Sequence, residues 1–237
     1  MTYNLDELVK LLDHQDPVER RYAAEDLGEL ADPKAIQALI KALDDPDKSV
    51  REAAADALIA IGGKEVAEAV IPLLYSEVVH QRNYATEILS QLGDEAIPYL
   101  LQECSSPNVD VRKFVIDILG QIGEVHRISD LSQLINLLND KDINVAAAAA
   151  EALGRISDPS VVPILAQHLS GPSWMQCNVI HAIAEIGGKQ ASEVLKSLDR
   201  DKLSKEAQYY YDMALKRIQE GTEEEPKHDF DATTQLI

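Results

Sequence analysis

The sequence predicts an all-α protein built as a solenoid of about seven helix-turn-helix repeats. The main observation is that the pattern of one stretch, from Asp45 to Gly63, returns in register about every 31 residues. A second observation is that every copy carries apolar residues at helical spacing. A third is that 46% of the 237 residues are hydrophobic, although no apolar run is long enough to cross a membrane. Together these observations favour a soluble helical repeat protein.

The stretch from Asp45 to Gly63 has the pattern of a loop followed by an amphipathic helix. Asp45-Pro46-Asp47 is predicted to end the preceding helix, Ser49 to cap the next one and Gly62-Gly63 to end it. The helix carries one stripe of residues expected to be buried: Val50, Ala54, Leu58 and Ile61. The other repeats have these counterparts of Leu58: Leu27, Leu89, Leu119, Leu153, Ile183 and Leu215.

Each repeat also begins with an outer amphipathic helix, joined to the inner helix by a short polar loop. Pro72 falls inside one outer helix and is expected to kink it. The repeats are predicted to span residues 1–219. The remaining residues, 220–237, include three consecutive glutamates and little apolar content, and they are predicted to form a disordered tail.

One motif gives the repeat a family resemblance. The motif runs from Val50-Arg51 through an alanine-rich segment to Ala57-Leu58, and it resembles the short HEAT-like repeat named after phycobilin lyases. The resemblance implies a right-handed α-solenoid of HEAT-like repeats in which the inner helices line a concave face. Proteins with this repeat include chromophore lyases, cofactor-assembly helpers, hydroxylases and adaptors, so the resemblance implies the fold more specifically than the function.

The formal net charge of −19 excludes some classes of partner. Such an acidic chain repels polyanions, so nucleic acids and anionic membranes are not expected partners. The acidity either keeps a repeat protein soluble or selects a basic partner, and the sequence leaves both interpretations open. The first residues show no secretory signal and the two cysteines are far apart, so a cytoplasmic protein without a disulfide framework is predicted.

Four arginines occupy one register in the first four repeats and are predicted to form a structural ladder that bonds the loops. They are Arg20, Arg51, Arg82 and Arg112. The next three repeats have Ala146, Gln176 and Gln208 at this position, so the ladder is expected to stop midway.

An acidic row aligns on the inner helices of five consecutive repeats. It consists of Glu25, Asp56, Glu87, Asp117 and Glu151, followed by His181 and Met213 in the last two repeats. On a concave face, this acidic row would attract a basic helix, loop or tail of a partner protein. The alternative is an ordinary solvated face. Packed helices lie about 8–10 Å apart, too far for neighbouring carboxylates to share one cation, so no metal site is predicted.

Two further features allow either a structural or a functional interpretation. Trp174 and Tyr209 are candidates for an aromatic partner contact, whereas Tyr211 would close the end of the stack. The alternative is that all these aromatic residues only cap the stack. Glycines at one register, Gly28, Gly120 and Gly154, are explained by close helix approach.

No catalytic constellation is apparent. No histidine is followed by glutamate, so the His-Glu pairs of HEAT-repeat hydroxylases are missing. Cys104 has a core register, and Cys177 with His181 is only a weak candidate pair. No cofactor is predicted. The favoured function is a non-catalytic scaffold that grips a protein partner in an acidic concave groove. The alternative is an accessory factor, lyase or chaperone-like, for bilin or cofactor attachment to an acceptor protein.

Overall fold

The computed structural model describes residues 4–220, and within this range it contains fourteen α-helices, several short 3₁₀ segments and no β-strand. The helices form seven consecutive pairs, in each of which a short first helix is followed by a longer second one. The first helices are α1 Leu5–Leu11, α3 Ile36–Ala42, α5 Gly63–Val70, α7 Ile97–Glu103, α9 Ser132–Leu137, α11 Val162–Gln167 and α13 Gly188–Ser197. The second helices are α2 Pro17–Leu30, α4 Lys48–Ile61, α6 Val79–Leu92, α8 Val109–Gly123, α10 Ile143–Ile156, α12 Ser173–Ile186 and α14 Lys205–Glu220.

The all-α class and the seven helix pairs are therefore confirmed. Residues 221–237, which form nearly all of the predicted tail, lie outside the described residues. The boundary between repeat domain and tail remains a prediction.

The chain divides into two compact units, Met1–Gln102 and Glu103–Ile237. In the first unit, α2 packs on α4 and α4 packs on α6. In the second unit, α8 packs on α10, α10 on α12 and α12 on α14. Each unit thus contains a row of second helices.

Four of the seven second helices begin at an acidic or amide cap. Asp16, Asp47, Asn108 and Asp142 each accept a hydrogen bond from the backbone N–H two residues ahead. The prediction that Ser49 caps α4 is wrong. The cap is Asp47, because its Oδ1 accepts from both the N–H and the hydroxyl of Ser49, at 2.8 and 2.7 Å.

Glycine and proline end the helices of the second and third repeats. Gly62 ends α4 with a φ of 64°, a left-handed value that glycine adopts without a steric penalty. Pro72 does not kink α5 as expected. Instead, α5 ends at Val70 and continues as a 3₁₀ segment, Ile71–Tyr75, since proline cannot donate the next helical bond.

The core follows the predicted stripe at three of its four positions in α4, since Val50, Ala54 and Leu58 are buried whereas Ile61 is partly exposed. Six of the seven residues in the register of Leu58 have no exposed surface: Leu27, Leu58, Leu89, Leu119, Leu153 and Ile183. The seventh, Leu215 in α14, is partly exposed. Away from this stripe, each second helix has an exposed residue two positions before the register of Leu58, and these residues carry the candidate site.

Candidate functional site

The acidic row lies on the exposed side of the second helices. Each of its five carboxylates is exposed, with Glu25, Asp56 and Glu87 in the first unit and Asp117 and Glu151 in the second. His181 and Met213, which continue the register in α12 and α14, are exposed as well. On each helix, the residue two positions after the acidic one is buried, so the acidic side chains lie on the side of the helix that faces away from the core.

The five carboxylates differ in their partners. Arg21 Nε lies 3.5 Å from Glu25 Oε1, and Arg155 Nη2 donates to Asp117 Oδ1 at 3.1 Å. Within residues 4–220, Asp56, Glu87 and Glu151 have no ion pair. The acidic row therefore has three carboxylates that are open to an external cation.

A row of aromatic side chains, which the sequence analysis did not identify, lies one helical turn before the acidic row. It consists of Tyr22, Tyr84 and Phe114, each three residues before a residue of the acidic row, and of Tyr210, three residues before Met213. Tyr22 is 49% exposed and Tyr210 is 41% exposed. The same superposition of repeats that aligned the acidic row would have revealed these aromatic residues.

The glycine register forms close contacts between neighbouring second helices. A Cβ atom on Gly28 would lie 2.9 Å from the Cα of Ala57, and one on Gly154 would lie 2.9 Å from the Cα of Ala182. Close helix approach is thus confirmed at these two positions. At Gly120 the neighbour is a side chain instead, because Nη2 of Arg155 would lie 2.6 Å from such a Cβ atom.

A long side chain from the next helix covers two of these three glycines. Arg155 of α10 covers Gly120, and the carboxylate of Glu185 in α12 lies over Gly154, 3.2 Å from the position of a Cβ atom. At the corresponding position over Gly28, α4 has the short residue Ala60. An open cavity of about 270 Å³ lies there instead. We call it the α2–α4 crevice.

The α2–α4 crevice has an apolar floor and acidic sides. Its lining residues are Glu25, Gly28, Glu29, Ala53, Asp56, Ala57 and Ala60. Glu29 and Asp56 are exposed and, in the described part of the chain, form no ion pair. The volume is below the roughly 300–1,000 Å³ typical of small-molecule pockets, so the crevice suits a single side chain better than a cofactor.

A larger open depression of about 600 Å³ lies in the first unit beside α5 and the start of α7. One of its lining carboxylates already has a partner, because Glu95 Oε2 accepts a hydrogen bond from the N–H of Gly63 at 2.6 Å. This bond satisfies a backbone donor in the first turn of α5. The depression therefore carries a structural contact between consecutive repeats.

The predicted aromatic residues of the last two repeats differ in exposure. Trp174 is half-buried, and Tyr209 is 65% exposed and packs edge-on against Tyr210, with ring centroids 5.7 Å apart. No ring contact joins Trp174 to Tyr209 in residues 4–220. Tyr211 is buried and its hydroxyl donates to the carbonyl of Leu198 at 3.5 Å. Tyr211 thus belongs to the core, whereas Tyr209 lies on the surface.

The four ladder arginines each donate to a backbone carbonyl in the loop of their own repeat. The distances from Nη1 are 2.8 Å for Arg20, 2.6 Å for Arg51 and Arg82, and 2.8 Å for Arg112. Two of them also reach the next repeat. Arg20 forms a bidentate ion pair with Asp45, and Arg112 forms one with Asp140, both with Nε–Oδ2 distances of 2.7 Å.

The ladder does not stop midway as predicted, because Gln176 and Gln208 bond the loops in place of arginine. Gln176 Nε2 donates to the carbonyl of Gly171, and its Oε1 accepts from the N–H of Ser204 in the next repeat. Gln208 donates to the carbonyl of Leu203. The ladder is interrupted only at Ala146, which has no polar side chain.

The two aspartates that pair with ladder arginines, Asp45 and Asp140, have lowered pKa values. Burial by itself would raise the pKa of Asp45, but the hydrogen bond from Arg20 and the N–H of Asp47 bring it below the usual carboxyl value. The pKa of Asp140 is lowered in the same way, with burial opposed by Arg112 and the N–H of Asp142. Both residues are therefore ionised at neutral pH.

The thiols have environments that oppose nucleophilic chemistry. Burial raises the pKa of Cys104 to about 12, and its side chain is in the core as predicted. Burial, followed by the charge of Glu206, also raises the pKa of Cys177. A reactive cysteine needs a lowered pKa, so the pairing of Cys177 with His181 gains no support.

Residues 4–220 contain neither a membrane-spanning helix nor a cluster of metal ligands. No helix in residues 4–220 is both long and apolar enough to cross a membrane. The same residues contain no group of three or more His, Cys, Asp or Glu side chains that could hold a metal ion.

Comparison with solved structures finds relatives in fold. Human deoxyhypusine hydroxylase in complex with glycerol is 18% identical, with a TM-score of 0.46, over 91% of this chain and 84% of that chain. The complex of CpcE and CpcF of phycocyanin lyase from Nostoc sp. PCC7120 is 24% identical, with a TM-score of 0.40, over 91% of this chain and 88% of that chain. A designed armadillo repeat protein in complex with the peptide (KR)4 is 19% identical, with a TM-score of 0.37, over 91% of this chain and 99% of that chain. At these identities the likeness concerns the fold alone.

Comparison of the sequence itself identifies the family. No curated protein matches the chain. The family model for HEAT repeats matches residues 5–87 and 131–209, which is more than half of the chain, with one matched segment in each compact unit. The unmatched stretch between them contains α7 and α8. The chain therefore belongs to the HEAT-repeat family.

Proposed function

We propose that this HEAT-repeat protein is a binding scaffold whose second helices present an acidic face to a partner protein with a basic surface or segment. The observation that carries the proposal is the exposure of the whole acidic row, three of whose carboxylates have no ion pair in the described residues. Unpaired surface carboxylates favour association with a positively charged partner.

The aromatic row supports a protein as the partner. Exposed tyrosines are among the residues enriched where proteins bind one another. Tyr22 lies one turn before Glu25 of the acidic row, and Tyr210 lies one turn before Met213, which continues the same register in α14. Tyr209 and the half-buried Trp174 would provide a secondary contact in the last two repeats. The net charge of −19 makes nucleic acids and anionic membranes poor partners.

The test is affinity capture from a lysate of the native cell at two salt concentrations. The wild-type chain is compared with a variant in which the five row residues are changed to lysine, and circular dichroism checks that the helix content is unchanged. We expect the variant to lose a basic protein that the wild type captures, and the wild-type complex to weaken with added salt. Equal capture by both chains would contradict the proposal.

A matched charge control separates the face from total charge. Five lysines are introduced instead at exposed acidic positions away from the row: Glu19, Glu65, Glu68, Asp94 and Glu124. If this control binds as weakly as the row variant, net charge accounts for the binding and the row does not.

The proposal treats the chain as non-catalytic, and the raised pKa values of both thiols support this treatment. Assisting bilin or cofactor attachment remains the alternative role. Co-expression with an acceptor apoprotein and a bilin would favour it by giving a covalently coloured product. The predicted cytoplasmic location remains a prediction.

A further inference from the structure

We propose that the α2–α4 crevice binds one arginine side chain of the partner. This inference rests on the proposed function and adds to it a defined subsite and a defined side chain. The crevice lies over Gly28, whereas Gly120 and Gly154 are each covered by a long side chain from the next helix. No long side chain of the described residues covers Gly28.

The protein itself shows how a guanidinium occupies such a position. In the second unit, the guanidinium of Arg155 lies over Gly120 and donates to Asp117, which belongs to the acidic row. Gly28 and Glu25 hold the registers of Gly120 and Asp117 in the first unit. A partner arginine placed over Gly28 would therefore meet a carboxylate in the same relation to the glycine.

The α2–α4 crevice offers an arginine more partners than the position of Arg155 does. The apolar floor of Ala53 and Ala57 can take the aliphatic part of the side chain, while Glu29 and Asp56 add two carboxylates to Glu25. Arginine fits this set because its planar donor fork reaches several oxygen acceptors at once.

Aromatic surface beside the crevice favours arginine over lysine. Tyr22 lies one turn before Glu25 on α2, and its ring already carries a guanidinium, that of Arg21, 4.7 Å from the ring centroid. The pair α10 and α12, which has the same close helix approach, is unsuitable for an arginine. Glu185 covers Gly154 there, and His181 stands at the register that Asp56 holds in α4.

The test uses a blocked peptide with three arginines separated by glycines, titrated into the full chain at low salt by calorimetry. Two peptides of the same length serve as comparisons, one with lysine and one with citrulline, which has nearly the shape of arginine but no charge. We expect the lysine peptide to bind more weakly and the citrulline peptide to lose about tenfold or more in affinity.

Ala60→Arg tests the site directly, because Ala60 is exposed and occupies the register of Arg155. We expect the new side chain to cover Gly28 and to weaken arginine-peptide binding by about tenfold. The matched control is Gln37→Arg, which places the same residue at an exposed position of the first helix α3, outside the lining of the crevice. This control should weaken binding by no more than about twofold to threefold, since it changes only the general charge.

The outcomes separate this inference from the proposed function. If Ala60→Arg and Gln37→Arg weaken binding of the peptide equally, the acidic face binds arginine diffusely and the subsite is wrong while the proposed function stands. Equal affinity for the arginine and lysine peptides overturns the choice of arginine. If no basic peptide binds the wild type and the row variant still captures its protein partner, both the inference and the proposed function are wrong.

Discussion

Arg51 and Arg20 occupy the same register, yet only Arg20 has an acidic partner in the next repeat. Arg20 pairs with Asp45, and the residue at the position of Asp45 one repeat later is Ser76. As a result, Arg51 donates to loop carbonyls through Nη1, while its buried Nε has no hydrogen-bond partner in residues 4–220. A buried donor without a partner lowers stability, so the serine is a weak point in the ladder.

We expect Ser76→Asp to raise the free energy of unfolding by about 1 kcal/mol, because the new carboxylate would accept from Arg51 as Asp45 does from Arg20. Chemical denaturation at pH 7 measures the change. In an Arg51→Gln background the gain should disappear. A gain of the same size in both backgrounds would show that the aspartate acts through the local backbone and not through Arg51.

The ionised state of Asp45 and Asp140 gives a prediction for pH. Their pKa values are lower in the folded protein than in the unfolded chain, so their contribution is complete above about pH 4 and is lost as the pH falls through the folded-state values. We expect the difference in unfolding free energy between the wild type and an Asp45→Asn, Asp140→Asn double variant to stay constant from about pH 7 to 5.

Below about pH 4 this difference should shrink, because the wild-type carboxylates become protonated and lose their ion pairs with arginine. Denaturation curves collected at several pH values for both proteins provide the measurement. A difference that persists unchanged at about pH 2 would mean that the aspartates stabilise the loops through shape alone and not through charge.

At the scale of elements, the distance between two second helices depends on one glycine. Gly28 and Gly154 face the backbone of the next helix, whereas Gly120 faces only the flexible end of Arg155. The same residue type at one register therefore has two different roles. An alanine would have to push a helix away at the first two positions and would only displace a side chain at the third.

We expect Gly28→Ala and Gly154→Ala each to lower the free energy of unfolding by about 1–2 kcal/mol, since overpacking outweighs the better helix propensity of alanine. Gly120→Ala should be neutral or slightly stabilising, because it gains about 1 kcal/mol of propensity and loses one partly exposed ion pair. Thermal unfolding of the three variants checks the order. Equal effects at all three positions would refute the distinction.

The same elements show how far the sequence allowed prediction. Periodicity was sufficient for the helix pairs and the buried stripe, because both depend on spacing within one helix. The cap of α4 was misassigned to Ser49, since Asp47 and Ser49 are both good capping residues and only the backbone bonds distinguish them. The roles of Gln176 and Gln208 were missed because the ladder was defined by charge instead of by hydrogen bonding.

The α2–α4 crevice could not have been predicted from one repeat alone. It arises from a glycine on one helix and a short residue, Ala60, on the next, so it depends on the separation of two helices. The pairing of Arg155 with Asp117 has the same origin, since the two residues are on neighbouring helices. The acidic row was visible in the sequence, but which of its members have partners was not.

At the scale of the whole molecule, stability should be close to a sum of repeat terms and contacts between neighbouring repeats. The two bidentate ladder pairs illustrate this organisation. Arg20 with Asp45 joins the first two repeats in the first unit, and Arg112 with Asp140 joins the fourth and fifth in the second. Each pair joins one repeat only to the next.

We therefore expect Asp45→Ser to cost about 1–3 kcal/mol, because Arg20 loses its buried acidic partner, and to act mainly within the first unit. Native-state hydrogen exchange should show faster exchange in the helices of residues 4–102 and little change in residues 103–220. Asp140→Ser is the matched variant and should reverse the pattern. If either substitution accelerates exchange equally throughout residues 4–220, the chain opens as one cooperative body, and the additive description of its repeats does not hold.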